Sequence, residues 1–351
     1  MAGSTIGTLF RVTTYGESHG CAVGVIVDGA TPGVALTEVV VQRELDRRKP
    51  GQSSVTTPRA EPDVVHITSG VFEGVTTGTP IHMTLHNRDA DPSAYLAIKD
   101  KFRPGHADFT YLRKYGVRDW RGSGRASGRE TAGRVAAGAV AKAMLARRGV
   151  TVTAYTLRAA GIQAKAIDLD AIERNPMRAP DMAAAHEMIA RIEAAQRAGD
   201  SYGGVVECRI RGLEAGLGEP VFDRLDADLA KAILSIGATK GIEFGDGFAA
   251  VDMRGSEHND SMNASGFASN HAGGILGGIS TGAEIVFRVA VKPPSSISMP
   301  QATVDVEGRE TEIKTEGRHD PCICPRIVPV VEAMAAMVLE DHAKRQAALH
   351  A

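Results

Sequence analysis

Residues 121–131 read Arg121-Gly122-Ser123-Gly124-Arg125-Ala126-Ser127-Gly128-Arg129-Glu130-Thr131. The fold class turns on whether this stretch is a nucleotide loop. A dinucleotide fingerprint, G-x-G-x-x-G, needs its third glycine one position before Gly128. A P-loop needs Gly-Lys-Ser/Thr, but Gly128 is followed by Arg129 and Glu130. Both motifs open directly from an apolar strand, and Asp119-Trp120-Arg121 is not one. The strand–loop–helix unit of a doubly wound parallel sheet is therefore absent. What remains still favours an anion. Glycines let backbone N–H groups approach a ligand, and a helix starting near Arg129 offers its positive end. Arg121, Arg125, Arg129 and Arg134 add charge, and Ser127 adds a hydroxyl. A solvated loop capping a helix fits the same composition equally well.

The surrounding periodicities predict the elements. Thr131–Arg148 is rich in small residues and stops at Arg147-Arg148-Gly149, a helix C-terminus. Thr37–Arg48 predicts a helix capped by Thr37, and 181–197 one capped by Asp181. Leu225–Ile236 reads as a helix, and Pro329 onward as the last one. Two strands flank the polar elbow TTYGESHG within 7–28, and 64–69 and 81–86 are β-branched strands. Val206, Cys208 and Ile210 alternate with charged residues, as do Ile285, Phe287 and Val289 with their neighbours. VDVEGRETEIK (304–314) predicts a hairpin turning at Glu307-Gly308. Strands come in groups rather than in strict β-α-β alternation. The expected class is α+β, antiparallel sheets packed on helices, in one domain spanning 1–351.

The 351-residue chain has a net charge of -2, so no global field draws it to nucleic acid. Aromatics are only 5% of residues, which leaves few stacking platforms for single strands. Cys21, Cys208, Cys322 and Cys324 do not make a disulfide framework or a zinc knuckle, and reduced thiols in the cytoplasm are expected. No signal peptide, HExxH zinc site or 18-residue apolar run is present.

Several glycine-flanked histidines stand out. His19 lies in Gly16-Glu17-Ser18-His19-Gly20, whose spacing formally matches the G-x-S-x-G elbow of serine hydrolases. His106 lies in Arg103-Pro104-Gly105-His106-Ala107-Asp108, where Asp108 could orient it. His271 sits beside Ala272-Gly273-Gly274, and His319 is followed by Asp320. Lys292-Pro293-Pro294-Ser295-Ser296 ends a strand with a cation and two hydroxyls, suited to a phosphate or to a plain turn. Each histidine alone could be a hydrogen-bonded turn residue. Together they suggest a polyanionic small molecule and acid–base chemistry near neutral pH.

Three longer blocks decide more. FRVTTYGESHG, GRASGRETAGRVAAGAV and GRHDPCICPRIVPVVEAM occur in that order, and RPGHADFTYLRKYG, GEPVFDRLDADLAKAILSI and SNHAGGILGGISTG accompany them. From about Gly7 to His342 the sequence resembles the chorismate synthase family. The resemblance implies a β-α-β sandwich, a homotetramer, and 1,4-anti elimination of phosphate from 5-enolpyruvylshikimate 3-phosphate, dependent on reduced FMN. It implies His19, His106 and Asp320 as proton-handling residues. It implies FMN contacts at Arg125, Ala126, Ser127, Gly237, Ala238, Gly277, Lys292, Pro293, Pro294, Ser295, Ser296 and Arg318. Substrate contacts would come from Arg48, Ser54, Arg59 and Arg129, since arginine's fork suits phosphate and carboxylate. Some relatives carry Arg at position 54, Asn at 237 and Thr at 294. NADPH would serve as an indirect reductant, and Arg48 has also been read as a nicotinamide-nucleotide contact. The lack of a long insertion favours a monofunctional enzyme supplied with reduced flavin from elsewhere.

Overall fold

The computed structural model describes residues 3–57, 61–89, 91–315 and 319–350. Arg59 and Arg318, two of the expected contacts, lie outside the described residues.

The first sheet is antiparallel and contains β1 (Thr5–Ile6), β2 (Arg11–Gly16), β3 (Ala22–Asp28), β4 (Val65–Ser69) and β5 (Ile81–His86), in the order β1-β2-β3-β5-β4. Its alternation sets the faces: Val23, Val25 and Val27 of β3 and Ile81, Met83 and Leu85 of β5 are buried. The second sheet contains β6 (Thr151–Ala159), β7 (Ile162–Gln163), β8 (Gly204–Arg211), β9 (Thr239–Phe244) and β10 (Ile285–Val291), in the order β9-β10-β8-β6-β7, again antiparallel. In register, Cys208 faces Phe287 on the buried side, while Glu207 faces Arg288 on the outer side. The outer face is an ion ladder, with Arg288 donating to Glu243 and Arg209 to Glu207 and Glu284.

Between the sheets lie α1 (Glu38–Arg48), α3 (Thr131–Ala146), α5 (Leu225–Leu234) and α6 (Cys324–Leu349); α2 (Asp108–Tyr115) and α4 (Met182–Arg197) lie outside this layer. The β-α-β sandwich is thus present, with the strands of both sheets paired antiparallel. Helix α6 is buried without a break from Ile327 to Ala343, because helices and sheet surround it. It crosses α3 so closely that a Cβ on Gly138 would lie 2.2 Å from that of Ala333. Glu332, also on α6, joins the layers: it accepts from Arg47 of α1 (2.5 Å), Lys142 of α3 (2.6 Å) and the Ala154 amide of β6 (2.9 Å).

Two local expectations need correction. Thr37 occupies the N-cap of α1 without a side-chain cap bond. Instead, Glu38 and Gln42 tie this end of the helix to the β4 region by accepting from the Ile67 and Val65 amides, and Gln42 also donates to the Asp63 carbonyl. The last helix starts at Cys324, not Pro329, and carries Pro329 inside it. A proline there leaves the carbonyl four residues back without its helical donor. Arg178 supplies one, donating to the Pro325 carbonyl at 2.8 Å. Asp181, by contrast, caps α4 as read, accepting from Ala183 (3.0 Å) and Ala184 (3.2 Å). The hairpin β11 (Gln301–Val304) and β12 (Glu310–Ile313) also forms where read, its turn closed by Gly308 donating to Asp305. Strand β6 escaped the reading although Thr151, Val152, Thr153 and Thr156 are β-branched.

Candidate active site

Sheet one delivers His19 on the turn between β2 and β3, and the 121–131 loop closes over it. Gly122 has a left-handed φ of 61°, and a Cβ there would lie 2.0 Å from the His19 ring. Only glycine fits both constraints. Ser18 lies 3.0 Å from His19 Nδ1 and donates to the Gly122 carbonyl at 3.3 Å. Ser18 is 1% exposed, so it is no accessible nucleophile, and the elbow spelling has no hydrolase behind it.

Next to Gly122, Ser123 bridges to the second histidine. Arg103 donates to Ser123 Oγ at 2.5 Å, and that oxygen lies 3.2 Å from His106 Nε2. The tautomer with its proton on Nδ1, facing Asp108, leaves Nε2 to accept from the Ser123 hydroxyl. Nδ1 lies 3.2 Å from Asp108, an electrostatic contact that lacks hydrogen-bond alignment. Asp108 also takes Arg103 (2.8 and 3.0 Å) and Arg118 (2.8 Å). Burial alone would raise the Asp108 carboxyl, but His106 and Arg103 hold it below the usual carboxylate range. Burial lowers the His106 pKa, and Arg103 and Lys292 add to that against Asp108. His106 is therefore neutral at pH 7. Lys292 donates to the Gly105 carbonyl at 3.1 Å, which docks the Lys292–Ser296 turn against the His106 loop.

On the other side of His19 lies a buried arginine cluster. Arg48, at the end of α1, and Arg129, just before α3, are 1% and 4% exposed. Both pair with the carboxylate of Asp63, and Arg129 Nε donates to Asn87 at 2.8 Å. Burial lowers the Arg48 pKa to about 10, with Asp63 opposing and Arg326 and Arg129 adding to the shift. Asp320 accepts from Arg326 (2.6 Å) and from the Thr57 amide (2.9 Å), and Arg326 Nε reaches the Arg48 carbonyl at 3.4 Å. His19, His106, Asp320, Arg48 and Arg129 thus belong to one connected network.

A cavity of about 600 Å³ opens beside His106. Arg125, Ala126, Tyr111, Ser123, Arg134 and Ser235 line it. Arg125 is fixed by β2, donating to Thr14 Oγ1 (2.8 Å) and the Gly16 carbonyl (3.1 Å). The volume lies within the ~300–1,000 Å³ of small-molecule sites. Ser127 does not line the cavity; its hydroxyl accepts from the Arg129 amide at 3.2 Å. Gly237 and Ala238 follow α5, and the Ala238 carbonyl accepts from Lys292 at 2.9 Å, so these residues and the turn Lys292, Pro293, Pro294, Ser295, Ser296 are neighbours. Gly277 is exposed next to Gly278, which bonds Leu225 at the opposite end of α5. The length of α5, ~15 Å at 1.5 Å per residue, separates it from Gly237. Ser54 is exposed and donates to Glu193 at 2.7 Å rather than joining the arginines.

Asp63, Asn87, Ser123 and Arg326 were not singled out from sequence. Asp63, Asn87 and Arg326 lie in no motif with a readable spacing, Ser123 sits unremarked within the 121–131 stretch, and each acquires its role only when separate segments meet. Arg326 had one available signal, its position inside the block that also holds Asp320.

The sequence model of the chorismate synthase family matches residues 10–343. A protein named chorismate synthase from Opitutus terrae is 54% identical, covering 98% of both chains. One from Roseiflexus castenholzii is 56% identical over 99% of this chain and 98% of its own. One from Syntrophobacter fumaroxidans is 58% identical over 97% of each. A crystal structure of chorismate synthase superposes with a TM-score of 0.78 at 30% identity, covering 97% of this chain and 93% of that one. With the match running from one end of the histidine–arginine network to the other, the chain belongs to the chorismate synthase family.

Proposed function

We propose that this enzyme removes phosphate from 5-enolpyruvylshikimate 3-phosphate by 1,4-anti elimination, giving chorismate, and that it requires reduced FMN. The observation that carries the reading is the juxtaposition of a buried, positively charged arginine pair with two histidines and a cavity of about 600 Å³. The substrate's phosphate and carboxylates match the arginines chemically, because guanidinium forks bind such groups bidentately. Phosphate departs with the C–O electron pair while C6 loses its hydrogen, so no net oxidation occurs. Arg48 and Arg129 would bind and orient the anion. Neutral His106, with Nε2 as acceptor, would hold or move a proton at the phosphate side, and His19 would do so near the flavin. Asp320, kept in place by Arg326 and the Thr57 amide, is the third proton-handling group.

The cavity's size and its cations Arg125 and Arg134 suit a flavin mononucleotide, and the Lys292–Ser296 turn, which is outside the cavity lining, docks on the neighbouring His106 loop. When bound, reduced FMN would supply electron density and basic character at the reacting carbons. Arg125, Ala126, Ala238 and the Lys292–Ser296 turn would hold it. NADPH would act as its indirect reductant. The enzyme is further proposed to be a cytoplasmic homotetramer; among the described residues, no helix is long and apolar enough to cross a membrane. The assay is anaerobic phosphate release from the substrate with oxidised, reduced or no FMN, on protein whose mass is measured by light scattering. Release is expected only with reduced FMN, from a species of four chains. Turnover without flavin overturns the cofactor, and no release under any condition overturns the reaction.

A further inference from the structure

We infer that Asp63 is a positioning residue, which holds Arg48 and Arg129 together as one anion-binding fork set in register with the proton-handling groups. The inference rests on the proposed substrate class and adds a residue to its recognition. Asp63 comes from the segment before β4, 15 residues after Arg48 and 66 before Arg129, and is completely buried. Its two carboxylate oxygens divide between the partners, Oδ2 to Arg48 and Oδ1 to Arg129. Its φ of 50° is left-handed, a conformation that non-glycine residues keep only when surroundings impose it. Gln42 of α1 helps impose it by donating to the Asp63 carbonyl at 3.2 Å.

The pairing leaves an imbalance. One carboxylate faces two guanidiniums, and the nearby Asp320–Arg326 pair neutralises only itself. Arg48 Nε and Arg129 Nη2 are buried, and neither has a hydrogen-bond partner among the described residues. Buried donors without acceptors are costly, and a guanidinium more so. An oxyanion of the phosphate or carboxylate kind would offset both deficits. The fork is also indexed on two sides. Asn87, which accepts from Arg129, donates to the carbonyls of Glu17 (2.9 Å) and Gly20 (2.8 Å), the turn that carries His19. The Arg48 carbonyl accepts from Arg326, the partner of Asp320. An anion held here therefore has a fixed distance from both groups. A carboxylate that merely compensated charge would need neither the divided oxygens nor these braces.

The test separates position from charge. Asp63→Glu keeps the charge and moves the carboxylate by one methylene. Folding is checked by thermal melting, substrate binding to the flavin-free protein by calorimetry, and turnover by phosphate release. The expected result is a loss of substrate affinity and a rise in KM of about tenfold, with kcat changed less than about threefold, since the interaction orients a bound anion. Asp63→Asn is the second variant: it should melt lower than wild type and gain more melting temperature from inorganic phosphate than wild type does. Wild type should itself be stabilised by phosphate beyond an equal ionic strength of chloride. Wild-type substrate affinity and KM in folded Asp63→Glu overturn the inference, as does absence of phosphate stabilisation in wild type. A wild type that binds substrate yet makes no chorismate fails the proposed reaction alone, and leaves the binding comparison decisive for Asp63.

Discussion

His106 shows how a residue's state follows from its surroundings. Burial disfavours the imidazolium, Asp108 favours it, and Arg103 and Lys292 oppose it; the net result is a lowered pKa. The neutral form therefore persists below the ordinary histidine range near 6.5. If neutral His106 is the active form, the acidic limb of kcat/KM should fall at a lower pH than the 6.5 of an ordinary histidine. A plot of log kcat/KM against pH checks this, and Ser123→Ala should move the limb by removing the partner of Nε2. His106→Ala should lower kcat by about 10²–10⁴, the usual size of an acid–base contribution; an unchanged rate would remove His106 from the chemistry. At this scale the sequence was legible for the histidines, because glycine-flanked histidines in polar turns are reachable and titrate near neutrality. It was silent on Asp63, whose partners lie 15 and 66 residues away, and on Asn87, whose partners lie 42 to 70 residues away.

Among the elements, α6 carries the largest stake. A 26-residue helix with an internal proline lacks one backbone donor, and its central acid is buried. Arg178 repairs the first deficit at the Pro325 carbonyl. Burial would raise the Glu332 carboxyl, but Lys142 and Arg47 overcome it and hold the pKa at about 2. The sign follows directly: a depressed folded-state pKa gives stability that is full above the unfolded value of 4.5 and is lost as pH falls through about 2. Glu332→Gln removes the buried carboxylate that Arg47 and Lys142 share, while Arg47 keeps Glu44 and Glu173 and Lys142 keeps Glu44, so it should cost about 1–3 kcal/mol. Urea denaturation at pH 7 reads this, and the difference from wild type should shrink toward pH 2. Helix positions were readable wherever caps or stops were local, as at Asp181. The start of α6 was not, because a proline that would normally end a helix is tolerated here through a side chain 147 residues away.

Across the whole molecule, two antiparallel sheets share one helical filling, and the class was legible because the strands came in groups. The layer order was not readable from periodicity, since nothing local tells a helix with apolar residues on most faces that sheets cover it on both sides. The site depends on that arrangement. The first sheet supplies the His19 turn, α1 and the approach to α3 supply the arginines, and the second sheet's last strand leads to the Lys292 turn.

Residues 121–131 run along the seam between those contributions. Gly122 closes on His19, Ala126 borders the cavity, the Ser127 hydroxyl holds the Arg129 amide, and Arg129 grips Asp63, all within eight residues of one backbone. A stretch this short cannot be ordered for one ligand and left loose for the other. If the proposed flavin and substrate both bind here, the consequence is thermodynamic linkage: whichever binds first sets the loop for the second, and the affinity gain must be reciprocal. FMN titrations with and without substrate should give dissociation constants differing by the same factor as substrate titrations with and without FMN. Identical constants in the two conditions would mean that the seam is mechanically silent.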